Sequence, residues 1–120
     1  MRVLLIDDEQ FYFKLIHNAL KEADYELAYA KSGSEGLAKI PAFDPEILIV
    51  DLKLPEIDGF EILERLRRDP KFSHIPVIVI TSKDELSEKL KAFELGADDY
   101  VVKPFHMQEL TSKINVLLNA

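Results

Sequence analysis

Four short apolar runs set the strongest limit on what this chain can fold into. They are Val3-Leu4-Leu5-Ile6, Ile47-Leu48-Ile49-Val50, Val77-Ile78-Val79-Ile80 and Tyr100-Val101-Val102. Three of them are continuous rather than alternating, which is how a strand buried on both faces reads. Leu27-Ala28-Tyr29-Ala30 makes a weaker fifth strand. Helical patterns fill the intervals: Phe11 to Ala23, Ser34 to Ile40 with Ser34 as N-cap, Gly59 to Arg68, Leu86 to Leu95 and Met107 to Leu118. Leu90, Phe93 and Leu95 form the apolar set of the fourth, and Gly96 stands where a C-cap glycine belongs. A strand-helix unit repeated five times predicts an α/β fold, a doubly wound parallel sheet with helices on both faces.

The 120 residues suit one domain spanning 1–120, since the chain carries no linker-like tract. There is no cysteine, which excludes disulfides, thiolate metal sites and cysteine nucleophiles. The first apolar run is short and is followed at once by acids, unlike a signal peptide or a membrane span, so a cytoplasmic location is expected. The net charge of −7, with no basic stripe, argues against direct nucleic-acid binding. Arg65, Arg67 and Arg68 read as a solvated helix face. His17, His74 and His106 do not cluster. Phe11-Tyr12-Phe13 points three ways around a helix start, so one ring is expected to be exposed and to mark a partner contact. Phe105 reads as core.

In an open α/β sheet, ligands bind beyond the carboxyl ends of the strands. Asp7, Asp8 and Glu9 follow the first strand and Asp51 the third. Thr81 and Ser82 follow the fourth, and Lys103-Pro104 the fifth. Two carboxylates at roughly 4 Å repel by about 4 kcal/mol at an effective dielectric near 20. A hard divalent cation and Lys103 would offset that repulsion. Acids, a cation, a lysine and a hydroxyl together suit a phosphoryl group, with one carboxylate attacking in line. Asp51 fits as the attacker because a turn marked by Pro55, Asp58 and Gly59 follows it.

These marks resemble the receiver domains of two-component response regulators. They are Asp7-Asp8-Glu9, Asp51 through Gly59, Thr81-Ser82, Gly96-Ala97-Asp98-Asp99-Tyr100 and Lys103-Pro104-Phe105, in order along the whole chain. The resemblance implies the flavodoxin-like strand order 2-1-3-4-5, for which a member of this family is a standard illustration. It implies Asp51 as phosphoacceptor, and Mg²⁺ (or Mn²⁺) on Asp8, Asp51 and the Lys53 backbone carbonyl, with Asp7 holding a metal-bound water. Lys103 and Thr81 would contact the phosphoryl oxygens. Tyr100 would be the switch aromatic that follows Thr81, and the Lys103-Pro104 peptide would be cis. Charge at Lys53 and Lys83 would tune the hydrolysis of the acyl phosphate.

The implied partners are a histidine kinase or phosphotransfer protein upstream, and an effector protein or C-terminal output domain downstream. The readout face would lie over the fourth helix, fifth strand and fifth helix, about Leu86 to Leu118, and would also be the face for a homodimer. The domain would signal rather than turn over a substrate, apart from catalysing its own phosphorylation and slow dephosphorylation. An aspartyl phosphatase of the haloacid-dehalogenase kind needs a second Asp where Lys53 stands. A flavodoxin-like FMN site needs a hydroxyl- and glycine-rich loop where Asp7-Asp8-Glu9 stand. A phosphorylation-independent interaction module is the remaining alternative, and a complete acidic site argues against it.

Overall fold

The computed structural model describes residues 1–21, 23–82 and 86–119. Its elements run β1 (Arg2–Ile6), α1 (Gln10–Leu20), β2 (Glu26–Ala30), α2 (Gly33–Phe43), β3 (Ile47–Asp51), α3 (Gly59–Arg68), β4 (Val77–Thr81), α4 (Leu86–Glu94), β5 (Asp99–Val102) and α5 (Met107–Leu118). The five strands are parallel in the order β2-β1-β3-β4-β5. This is the doubly wound parallel sheet expected from the sequence pattern, in the flavodoxin-like order that the resemblance implied.

The continuous apolar strands serve two cores. Leu4, Ile6, Leu48, Val50, Val77 and Val79 face α2, α3 and α4 through Ile40, Ile62, Leu63, Leu66 and Ala92. Their neighbours Val3, Leu5, Ile47, Ile49, Ile78 and Ile80 face α1 and α5 through Ile16, Leu20, Leu110 and Ile114. Successive strand residues point to opposite faces, so both sets must be apolar.

Several local details differ from the sequence reading. α1 stops at Leu20 rather than Ala23, and the Ala23 N–H bonds the Leu20 carbonyl in a turn instead. The cap of α2 is Ser32, whose hydroxyl accepts the Glu35 N–H, so the helix begins before Ser34. α2 also runs through Pro41 to Phe43 and closes on Asp44 in the left-handed region. Arg67 does not lie on a solvated face. Its guanidinium is largely buried and donates to the carbonyls of Gly96, Ser73 and Ile75 while pairing with Asp98 at 3.1 Å. It therefore ties the end of α3 to the loops preceding β4 and β5. Arg65 and Arg68 remain exposed and pair along α3 with Glu61 and Glu64.

Among the described side chains of α4 the buried one is Ala92, whereas Leu90 and Phe93 are 53% and 42% exposed. Two of the three residues expected to form its core face therefore meet solvent. Gly96 closes the turn after α4 with φ +109, a backbone state that side-chain-bearing residues rarely adopt.

Candidate functional site

The carboxyl ends of β1, β3, β4 and β5 converge on one edge of the sheet, and the buried polar residues collect there. Asp7, Asp51, Thr81 and Lys103 are the buried polar or charged residues among those described. Parallel pairing fixes their heights. β1 pairs with β3 through Ile6 and Val50, β3 with β4 through Asp51 and Ile80, and β4 with β5 through Thr81 and Val102. The Lys103 N–H continues the ladder by donating to the Thr81 carbonyl at 2.7 Å. The Lys103-Pro104 peptide is cis, as the resemblance implied.

Lys103 is the electrostatic centre. Its ammonium donates to Asp51 Oδ2 at 2.8 Å and to Glu9 Oε1 at 3.1 Å. It also lies 2.9 Å from Asp7 Oδ2, an ion-pair contact outside hydrogen-bonding geometry. The other oxygens of the two buried acids are held by the backbone. Asp7 Oδ1 accepts the Glu9 N–H and Asp51 Oδ1 accepts the Lys53 N–H, both at 2.9 Å. Burial works against the Lys103 charge, but its close contacts with the Asp51 and Asp7 carboxylates outweigh it, so its pKa stands above the ordinary value. Asp7 is pushed up to about 6, chiefly by burial. The Glu9 N–H and Lys103 pull it down, and the nearby Asp51 charge adds to the rise.

The acids outnumber the ammonium. Asp7, Asp8, Glu9 and Asp51 each offer an oxygen, and those four atoms lie within 4.8 Å of one another. Asp7 Oδ2 is buried without a hydrogen-bond donor. A set of hard oxygen donors carrying excess negative charge fits a cation such as Mg²⁺. Asp8 is exposed at the rim of this cluster, open to a metal's water shell.

The loop after β3 reaches Asp51 through a close approach at Gly59. A Cβ there would come within 2.6 Å of the Asp51 carbonyl oxygen and 2.7 Å of Leu52 Cα. The Asp58 carboxylate caps α3 through the Glu61 N–H, and the Gly59 N–H returns to the Leu52 carbonyl. Lys53 is exposed, and Lys83 lies outside the described residues.

Thr81 is buried at the end of β4, and its hydroxyl donates to Glu88 Oε2 on α4 at 3.2 Å. Tyr100 is half-buried. It meets Phe93 edge-on at 5.9 Å, with the Lys89 ammonium 4.8 Å and the Lys113 ammonium 5.7 Å from its ring centre. Lys113 also pairs with Asp99.

Three residues at the site carried no assigned role in the sequence reading. Glu9 was part of the acidic motif, but its grip on Lys103 depends on how α1 starts. Glu88 lies in the first turn of α4, with no spacing rule linking it to Thr81. Tyr12 is buried with its ring centre 4.3 Å from the Lys103 ammonium. Of the aromatic run, Phe11 is the exposed member at 62%. Phe105 packs against the α1–α5 core and stacks on Tyr12.

The profile of the response regulator receiver domain family matches residues 3–115. The chain is 37% identical over 117 residues to the DNA-binding dual master transcriptional regulator RpaA of Synechocystis, covering 98% of this chain and 48% of that protein. It is 36% identical over 118 residues to the transcriptional regulatory protein TrcR of Mycobacterium tuberculosis, covering 98% and 45%. The chain spans about half the length of these curated relatives. Among solved structures, one from Chloroflexus aurantiacus described as a response regulator superposes with a TM-score of 0.94 at 35% identity, covering 99% of this chain and 98% of that one. The chemotaxis protein CheY4 of Vibrio cholerae gives 0.90 at 27% identity, with 97% of each chain covered. With the fold, the acidic edge and these matches in agreement, the chain belongs to the response regulator receiver domain family of two-component signalling systems.

Proposed function

We propose that residues 1–120 act as one phosphoacceptor unit in which Asp51 receives a phosphoryl group. The carrying observation is the setting of Asp51: buried at the end of β3, one oxygen held by the Lys53 N–H and the other by Lys103, inside a cluster of acids. A carboxylate oxygen of Asp51 attacks phosphorus. The bond from phosphorus to the donor breaks, either P–N of a phosphohistidine or P–O of acetyl phosphate. The donor leaves with that electron pair, as imidazole after taking up a proton or as acetate, and Asp51 becomes an acyl phosphate. Lys103 offsets charge on the phosphoryl oxygens, and Thr81 supplies a hydroxyl once it exchanges Glu88 for a phosphoryl oxygen. Asp8, Asp51 and the Lys53 carbonyl would hold Mg²⁺ (or Mn²⁺), with Asp7 on a metal-bound water. When bound, the ion supplies positive charge to the phosphoryl oxygens.

The donor would be a histidine kinase or phosphotransfer protein in the cytoplasm. Among the described residues, no helix is long and apolar enough to cross a membrane. The output would pass through α4, β5 and α5, where Thr81 is bonded to α4 and Leu90 and Phe93 lie exposed. Tyr100 would move with Thr81. The relatives' names describe DNA-binding and transcriptional regulation, so the controlled activity would be a DNA-binding effector, as a separate partner or a further domain. The same face would serve a homodimer.

Intact-mass measurement with acetyl phosphate and Mg²⁺ tests the reading. The expected result is a gain of one phosphoryl group in the wild type, lost with chelator and lost in Asp51→Asn. Phosphorylation of Asp51→Asn to the wild-type level would place the acceptor elsewhere.

A further inference from the structure

The Lys103 ammonium has two unlike sets of neighbours. One is the oxygens of Asp7, Asp51 and Glu9, at 2.9, 2.8 and 3.1 Å. The other is the face of Tyr12, with its ring centre 4.3 Å from the nitrogen. The Lys103 side chain is only 5% exposed, so this ring stands where water would otherwise solvate the charge. Tyr12 is itself fixed. It is 9% exposed on the first turn of α1, and it stacks on Phe105 with centroids 5.4 Å apart and planes at 29°. Phe105 lies two residues beyond Lys103, so the loop that carries the lysine also carries the support for its aromatic cap.

An aromatic face attracts an ammonium through its quadrupole and offers no lone pair in the plane of approach. Water in the same place would accept hydrogen bonds and draw N–H groups away from the carboxylate side. The ring therefore keeps the charge aimed at the edge where Asp51 lies. Exposed cation–π contacts contribute little, whereas desolvated ones approach the effect of a hydrogen bond. The burial of both partners puts this contact in the second class.

We infer that Tyr12 is a positioning residue for phosphoryl transfer, acting through Lys103: its ring face, set by Phe105, holds the ammonium toward Asp51 and the incoming phosphoryl oxygens. The inference rests on Asp51 being the acceptor. The phenol oxygen plays no part in it, because the contact uses the ring.

Three proteins decide the matter: wild type, Tyr12→Leu, which keeps an apolar filling but removes the π face, and Tyr12→Phe, which restores that face. Each is assayed for its initial rate of phosphorylation by acetyl phosphate, its affinity for beryllofluoride with Mg²⁺, its Mg²⁺ affinity alone, and its melting temperature. Tyr12→Leu should slow phosphorylation and weaken beryllofluoride binding by roughly 3- to 30-fold, the span of cation–π strengths. Tyr12→Phe should return both to within about twofold. Mg²⁺ affinity should stay unchanged in Tyr12→Leu, since the ring acts on the ammonium.

Equal rates and beryllofluoride affinities in wild type and Tyr12→Leu would overturn the inference. So would a loss that Tyr12→Phe shares, or one matched by an equal fall in Mg²⁺ affinity and melting temperature. A wild type that gains no phosphoryl group at all would instead overturn the acceptor reading, and the assay separates the two failures.

Discussion

Lys103→Met is expected to cost the protein about 3–5 kcal/mol at pH 7 in chelator, the scale for removing one partner of a buried ion pair. The substitution keeps the aliphatic stem and removes a charge that touches Asp7, Asp51 and Glu9. Asp7 and Asp51 are nearly inaccessible, so solvent cannot replace the ammonium without opening the site. The loss should shrink on acidification. Lys103 holds the Asp7 pKa down, so without it that pKa rises further above 6. As pH falls through that range the folded state takes up the proton, and the uncompensated charge disappears. Mg²⁺ should restore part of the loss at pH 7, because a bound cation offsets the same carboxylates. Urea unfolding at pH 7 and pH 5, with and without Mg²⁺, reads all three effects. A change under about 1 kcal/mol at pH 7 in chelator would show that the lysine does not balance the acids.

Asp7→Asn should act in the opposite direction. The Asp7 pKa is raised from 3.8 to about 6, with burial as the main cause. Below pH 3.8 both folded and unfolded chains carry the proton, and the group is neutral in its effect. Between 3.8 and 6 the unfolded chain releases the proton while the folded one keeps it, so stability falls as pH rises. Above 6 the penalty is complete, about 3 kcal/mol at 1.4 kcal/mol per unit. Asparagine removes that penalty, and its amide oxygen can still accept the Glu9 N–H. The variant should therefore gain about 2–3 kcal/mol in chelator at pH 7, which is several degrees of melting temperature for a domain this size. The gain should fade toward pH 4, while Mg²⁺ affinity drops. Destabilisation at pH 7 would mean that the attraction between Asp7 and Lys103 outweighs the burial of the carboxylate.

Together the two outcomes would describe a site whose internal repulsion a cation or phosphoryl group would relieve. Four acids cluster at one edge, and the single ammonium of Lys103 reaches three of them. Ligand binding would then release repulsion already present in the fold, and stability and function would pull in opposite directions at these residues.

The architecture was readable because its rules are local. Strands buried on both faces need unbroken Val and Ile runs, and the helical intervals fix parallel pairing. The strand-end rule then brought Asp7, Asp51, Thr81 and Lys103 to one edge. The details that escaped depend on tertiary contacts. Ser32 and Ser34 are equally good caps by residue type, and the path out of β2 selects Ser32. Arg67 shares its helix and charge with Arg65 and Arg68, and only the nearness of Gly96, Ser73 and Ile75 separates it from them. Among the described side chains of α4 the small Ala92 is the buried one, whereas Leu90 and Phe93 meet solvent against the usual ordering by size. Tyr12 lies in a run of three aromatics whose spacing shows that they diverge but not which one meets Lys103.

The most direct test of Asp51 as acceptor is reductive trapping. Wild-type protein is treated with acetyl phosphate and Mg²⁺, then with borohydride, which reduces an acyl phosphate to an alcohol and turns the acceptor aspartate into homoserine. Peptide mass mapping should find that conversion at residue 51, dependent on the phosphodonor and on Mg²⁺. Conversion at another acid, or none in protein whose mass has already shown the phosphoryl gain, would contradict the account.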